Sequence, residues 1–256
     1  MKIISYNVNG IRAALNKGFE QWLLDGQYDM VCIQETKAEK EQVDTSVFER
    51  LGYHQYWFSA EKKGYSGVLI LSKKEADNVV VGCGIPAYDK EGRVIRADFG
   101  DLTVVNCYFP SGTSGDERQD VKINFLNDIF NFVQELKKER ENIILLGDYN
   151  IAHTEMDIHD PKGNKNSTGF LPEERAWMTK WFGSGFSDAY RCANPEKIEY
   201  SWWSYRAGAR ANNKGWRIDY QSVTENLAAK IQSACHLSDA MHSDHCPVFV
   251  EYDWAL

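Results

Sequence analysis

The chain has 256 residues, 43% of them hydrophobic and 13% aromatic, enough to bury a substantial core as one α/β domain. A net charge of −8 argues against a protein that coats nucleic acid through a broadly basic surface. Six cysteines, Cys32, Cys83, Cys107, Cys192, Cys235 and Cys246, stand without CxxC pairing, mostly in apolar runs where a thiol behaves as a small hydrophobe, so a reducing cytoplasm is expected. The run Met1 to Tyr6 is strand-like, with no basic leader, and no apolar window is long enough to span a bilayer.

In chain order, strands are predicted over Lys2–Tyr6, Asp29–Ile33, Gly67–Leu71, Asn78–Val81, Arg93–Phe99, Leu102–Tyr108, Asn142–Leu146, Arg217–Val223 and Pro247–Tyr252. Short helices are expected near Phe19–Leu24, Ser46–Leu51 and Pro172–Phe182, the last opening on Pro-Glu-Glu, where proline and acids suit a first turn. Between Glu117 and Glu139, Val121, Phe125, Leu126, Ile129, Val133 and Leu136 recur at helical spacing and predict one long amphipathic helix. No linker or repeat divides the chain, and Ser111–Gly115 and Lys162–Gly169 read as surface loops.

Polar residues of a restricted kind stand just past apolar strands. Asn7 and Asn9 follow the first strand, Glu35 the second, and Asp148 and Asn150 the run ending at Leu146. Any one of these is ordinarily a turn or cap. Three strand ends of the same type suggest a shared site with the hard oxygen donors that magnesium takes, with Glu35 the first candidate ligand. Near the C-terminus, Ser243-Asp244-His245 precedes a strand, and Asp219 interrupts an apolar run; a carboxylate beside His245 would hold its tautomer and raise its pKa. The stretch Ser201 to Ile218 carries no acid but has Arg206, Arg210, Lys214 and Arg217 interleaved with Trp202, Trp203, Tyr205 and Trp216. It reads equally as a solvated loop over core tryptophans or as a nucleic-acid contact. Cys235, His236, His242, His245 and Cys246 cluster in sequence, but at no common zinc spacing.

Six blocks carry a family resemblance: Ile4-Ser-Tyr-Asn7-Val-Asn9-Gly10-Ile-Arg12, Ile33-Gln-Glu35-Thr-Lys37, Asn106-Cys-Tyr108-Phe-Pro110, Leu146-Gly-Asp148-Tyr-Asn150, Gly215-Trp-Arg-Ile-Asp219-Tyr220 and Ser243-Asp-His245-Cys-Pro-Val248. In this order, over nearly the whole chain, they resemble the exonuclease III family of AP endonucleases. The resemblance implies a four-layer α/β sandwich, two packed mixed sheets flanked by helices, and a Mg²⁺-dependent phosphodiesterase in which Mn²⁺ can substitute. It implies cleavage 5′ to abasic sites in double-stranded DNA, trimming of blocked 3′ ends and 3′→5′ exonuclease action by a monomer that needs no membrane.

Carried over residue by residue, the resemblance makes Glu35 the principal metal ligand, with Asn7, Asn9, Asp148, Asn150, Asp244 and His245 around the metal. Asp148 handles the attacking water with Asn150 in support. Tyr108 and His245, the latter oriented by Asp219, bind the reacting phosphate. Trp202, Trp216 and Ile218 match the abasic pocket, and Arg93, Arg206, Arg210, Lys214 and Arg217 are the expected DNA contacts. A general nuclease or a phosphatase of the same fold, or an inactive DNA-binding module, is the alternative. The resemblance puts a histidine in place of Tyr108 in DNase I-like nucleases, and Glu35, Asp148 and His245 are all present, where an inactive module would be expected to lose one of them.

Overall fold

In a computed structural model describing residues 1–256, twelve strands form two six-stranded sheets. The first sheet contains β1 (Lys2–Asn7), β2 (Met30–Gln34), β3 (His54–Phe58), β4 (Val68–Ser72), β11 (Ile231–His236) and β12 (Val248–Tyr252), in the order β11-β12-β1-β2-β4-β3. The second contains β5 (Asn78–Val81), β6 (Val94–Phe99), β7 (Leu102–Tyr108), β8 (Asn142–Asp148), β9 (Phe186–Asp188) and β10 (Asp219–Thr224), ordered β5-β6-β7-β8-β10-β9. Eight helices, α1 (Ile11–Asn16), α2 (Phe19–Gly26), α3 (Ser46–Arg50), α4 (Pro86–Asp89), α5 (Asp116–Leu136), α6 (Pro172–Phe182), α7 (Ala189–Ala193) and α8 (Glu225–Ala228), connect them.

The strands read as continuous apolar runs because both of their faces are covered. In β8, Ile144 and Leu146 join Ile3, Cys32 and Ile70 in the core between the sheets, while Ile143 and Leu145 turn the other way onto Phe125, Ile129 and Trp181 of α5 and α6. In β1, Ile3 faces the inter-sheet core and Ile4 packs with Phe19, Leu23 and Phe48 of the opposite helical layer. Period-two alternation with apolar residues at both phases thus yields the expected four layers.

The nine predicted strands are all present, with bounds shifted by at most two residues, and α5 ends at Leu136 rather than Glu139. Sequence reading missed three strands, β3, β9 and β11, and each is an edge of its sheet. An edge strand is half solvated and needs no double apolar face: His54–Phe58 mixes polar with aromatic residues, and Ile231–His236 is mostly small and polar with a register shift near Ser233. The short helices α1, α4, α7 and α8 were also unanticipated, being too brief for a helical period to register.

Candidate active site

Strand direction gathers the polar strand ends at one edge of the sandwich. β1 and β2 run parallel, with Asn7 opposite Gln34, so Asn7 and Glu35 emerge side by side. β7 and β8 are also parallel, with Tyr108 opposite Asp148. β10 and β12 run the other way, so their starts reach the same edge: Asp219 pairs directly with Asp148, and His245 lies just ahead of β12. Oxygen or nitrogen atoms of Glu35, Asp148 and His245 lie within 4.8 Å of one another.

Asp148 is enclosed, and every neighbour orients it. Its Oδ1 accepts from the backbone N–H of Asn150 at 2.8 Å, and its Oδ2 accepts from Asn7 Nδ2 at 2.8 Å and lies 3.8 Å from His245 Nε2. Burial, reinforced by the nearby Asp219 charge, raises the Asp148 pKa to about 7. The His245 ring sets Nδ1 2.9 Å from Asp219 Oδ2, which also accepts from Ser201 Oγ at 2.6 Å. Burial alone would lower the His245 pKa, but Asp219 and then Asp148 outweigh it and raise it to about 10, so the ring is a cation at neutral pH. Tyr108 is pushed well up by burial, then by Glu35 and Asp148, and stays a phenol.

Glu35 answers to opposing influences. Burial would raise its pKa, yet Lys37 Nζ at 2.7 Å and the Asn7 amide at 2.9 Å hold it below the usual carboxylate range. Asn7 turns its Nδ2 to both carboxylates, and Asn9 bonds Asp244 Oδ1 through Nδ2 and Lys37 Nζ through Oδ1, so the two asparagines brace the carboxylates and the lysine. Asp244 is further held by Trp202 Nε1 at 3.0 Å. Asn9, Glu35, Lys37 and Asn150 all have φ near +50°, a left-handed backbone uncommon outside glycine, and such strain tends to gather at functional sites.

Glu35, Tyr108, Asp148 and His245 line one side of an open recess of about 520 Å³ whose other walls include Trp202, Trp216, Ile218 and Gly169. Both tryptophans are half-buried and meet edge to face, packing with Ile218, Ala152, Ile158 and Phe170, whereas Trp203 belongs to a separate core cluster with Tyr200, Ala209 and Cys246.

Two expected DNA contacts, Arg93 and Arg217, need correction, and a third, Arg210, is half-buried. Arg93 is 1% exposed: its guanidinium lies over the Tyr108 ring, donates to Tyr108 O at 2.9 Å and to Tyr65 Oη at 3.0 Å, and pairs with Glu91. Arg217 is 1% exposed between Asp157 and Asp188, with ion pairs of 2.7 Å to each. Arg210 directs its guanidinium to the carbonyls of Ser238, Ala240 and Ser243 and so pins the loop leading to Asp244. Arg206 and Lys214 are exposed as expected. Sequence reading gave no role to Lys37, Ser201 or Lys122. Lys122 alone carried a signal, as a lysine on the apolar face of α5 three residues before Phe125.

Carboxylates of like charge set against a cationic imidazole, at the open ends of two packed sheets, are the equipment of a metal-dependent hydrolase of phosphate esters. The comparisons agree, and the chain belongs to the Endonuclease/Exonuclease/phosphatase family, whose model matches residues 4–245. An exodeoxyribonuclease of Bacillus subtilis (strain 168) is 44% identical over 250 residues, 97% of this chain and 98% of that protein. A DNA-(apurinic or apyrimidinic site) endonuclease of Dictyostelium discoideum is 39% identical over 99% of this chain and 71% of that protein. Among solved structures, an AP endonuclease from Archaeoglobus fulgidus superposes with a TM-score of 0.91 at 30% identity, covering 99% of this chain and all of that one. A 3′ phosphatase from Neisseria bound to a product DNA hairpin superposes with a TM-score of 0.92 at 29% identity and the same coverage.

Proposed function

We propose that this protein is a Mg²⁺-dependent DNA-repair endonuclease that cuts the phosphodiester 5′ to abasic sites, leaving a 3′-OH, and that it also trims blocked 3′ ends and digests recessed 3′ ends. The observation that carries this reading is the convergence of Glu35, Asp148 and His245 at the mouth of a recess walled by Trp202 and Trp216. A flipped sugar without its base would find an apolar wall to pack against there.

The residues suit a hard divalent cation. Glu35 is an ionised carboxylate at the open edge, and burial, with the Asp219 charge added to it, raises the Asp148 pKa, so the carboxylate set calls for a cation. Glu35, with Asp148 and Asp244 lining the same recess, would hold the ion, which would supply charge neutralisation at the non-bridging phosphate oxygens and at the leaving oxygen. His245, as an imidazolium held by Asp219, suits a donor to the phosphate better than a metal ligand, and the Tyr108 hydroxyl, close to Glu35, is a second donor. Asp148, fixed by Asn7 and the Asn150 amide, orients the attacking water and takes its proton. Arg93 supports Tyr108 from beneath, while Arg206 and Lys214 are the exposed cations left to meet the DNA backbone.

Two end-labelled duplexes, one carrying a tetrahydrofuran abasic analogue and one intact with a recessed 3′ end, test the reading. Cleavage of the first should be abolished by EDTA and restored by Mg²⁺, and Glu35→Ala should raise the Mg²⁺ concentration required; full activity in chelator would sink the site assignment.

Trp216→Ala should lower the ratio of kcat/KM for abasic over intact duplex by roughly tenfold to two-hundredfold, the usual worth of apolar pocket contacts, with Mg²⁺ dependence unchanged. Melting must be followed in parallel, since truncating a fully buried tryptophan costs about 3–5 kcal/mol by packing alone and the half-buried Trp216 would lose part of that. A variant that melts lower yet keeps its selectivity assigns Trp216 to the core and moves the pocket to Trp202.

A further inference from the structure

Lys122 of α5 and Glu174 of α6 take no part in the chemistry above, yet both are 0% exposed and pair at 2.6 Å. Lys122 sits on the helix face that otherwise buries Phe125, Leu126 and Ile129. Two apolar residues there would avoid the desolvation cost of two charges but would leave the Asn150 carbonyl and the Gly169 and Leu171 N–H groups without partners, so what the pair secures is those backbone groups.

Its hydrogen bonds reach both halves of the site. Lys122 Nζ donates to Asn150 O at 2.8 Å, and the N–H of that same left-handed Asn150 is what holds Asp148 Oδ1. Glu174 Oε2 accepts from the backbone N–H groups of Gly169 at 2.6 Å and Leu171 at 3.0 Å. Gly169, at φ +91°, is packed so closely that a Cβ there would lie 3.0 Å from Trp216 Cζ3 and 3.1 Å from Asn150 O. The Ala152 N–H donates to Gly169 O at 2.8 Å and closes the circuit between the two segments.

We propose that Lys122 and Glu174 are positioning residues, a buried clamp that ties the Asn150 peptide, and through it Asp148, to the Gly169 backbone against which Trp216 rests. The clamp holds the water-handling carboxylate and the sugar-accepting wall at one separation. The assignment rests on the roles proposed above for Asp148 and Trp216.

The test compares Lys122→Met, and the double variant Lys122→Met with Glu174→Gln, against the parent on the abasic-analogue duplex and on the intact duplex with a recessed 3′ end, well below each variant's Tm. The double variant leaves no lone buried charge and keeps an amide oxygen for the Gly169 N–H, so it should melt above Lys122→Met while still lacking the Asn150 bond. Expected is a fall in kcat of roughly tenfold to a hundredfold in both variants, the scale of a misplacement by about 1 Å, with KM changed by less than about threefold. The abasic-to-intact ratio should fall as well. A folded Lys122→Met with the parent's kcat and selectivity, or a double variant whose kcat returns to the parent value together with its Tm, overturns the proposal and leaves the pair a structural one. Should the unaltered protein show no preference for the abasic duplex, the substrate reading fails by itself, and kcat on the recessed end still decides the clamp.

Discussion

Replacing Asp148 by Asn is expected to lower turnover on an abasic duplex by roughly 10²–10⁴-fold while DNA binding persists, the range typical for loss of a general base. The substitution preserves shape but removes the charge that accepts the proton from water. It also conflicts with its neighbours, because both Asp148 oxygens accept bonds, one from the Asn150 N–H and one from Asn7 Nδ2. An asparagine must turn its NH₂ toward one of these donors, so the group that remains is also misaimed. Single-turnover cleavage read beside an equilibrium binding measurement separates the two effects, and near-parental turnover would refute the role.

The pH profile supplies an independent check. Activity that needs ionised Asp148 is absent below its pKa and grows as pH rises through it, near 7 in the bare site and lower once a divalent cation adds its charge. The ascending limb should vanish in the Asn variant.

His245→Ala should cost a comparable factor, because it removes the one cationic donor beside Asp148. Asp219→Asn should lose less, and its profile should reveal why. His245 works as a donor only while protonated, so activity is present below its raised pKa, near 10 in the bare site, and lost as pH rises through that value. Asp219 is the largest of the influences that raise it, and without that charge the His245 pKa falls. The descending limb should then move toward neutral pH in Asp219→Asn relative to the parent, both measured at the same Mg²⁺ concentration. A variant that is slower at every pH with an unmoved limb would show that Asp219 only orients the ring or supports the fold. Ser201, which donates to the same Asp219 oxygen and accepts from the backbone N–H groups of Ile218 and Asp219, keeps that loop in place in either case.

The misreadings share a physical cause. A cation in sequence is usually a cation on the surface, and Arg93 and Arg217 depart from that rule. Arg217 lies between two tyrosine rings and two aspartates, Asp157 and Asp188, that are distant from it in sequence. Nothing within a few residues of Arg217 announces those partners. Lys122 is the converse case. Its place on the apolar face of α5 is visible in the helical period, but Glu174 and the Asn150 carbonyl that make it tolerable belong to other segments.

By itself the sequence determined the alternation of apolar runs, the long helix α5, and the polar identity of each strand end, because these depend on residues that are neighbours along one element. It also carried the ordered blocks that mark the family. The tertiary structure decided what those ends do together. The parallel pairing of β1 with β2 and of β7 with β8, set against the antiparallel β10 and β12, brings residues as far apart as Asn7 and His245 to one edge, where Asp148 and Asp219 face each other and the imidazole between them is held charged. Strand direction and edge pairing are non-local, and so are burial and the pKa shifts that follow from it, since each is set by what packs across the sheet rather than by what comes next in the chain.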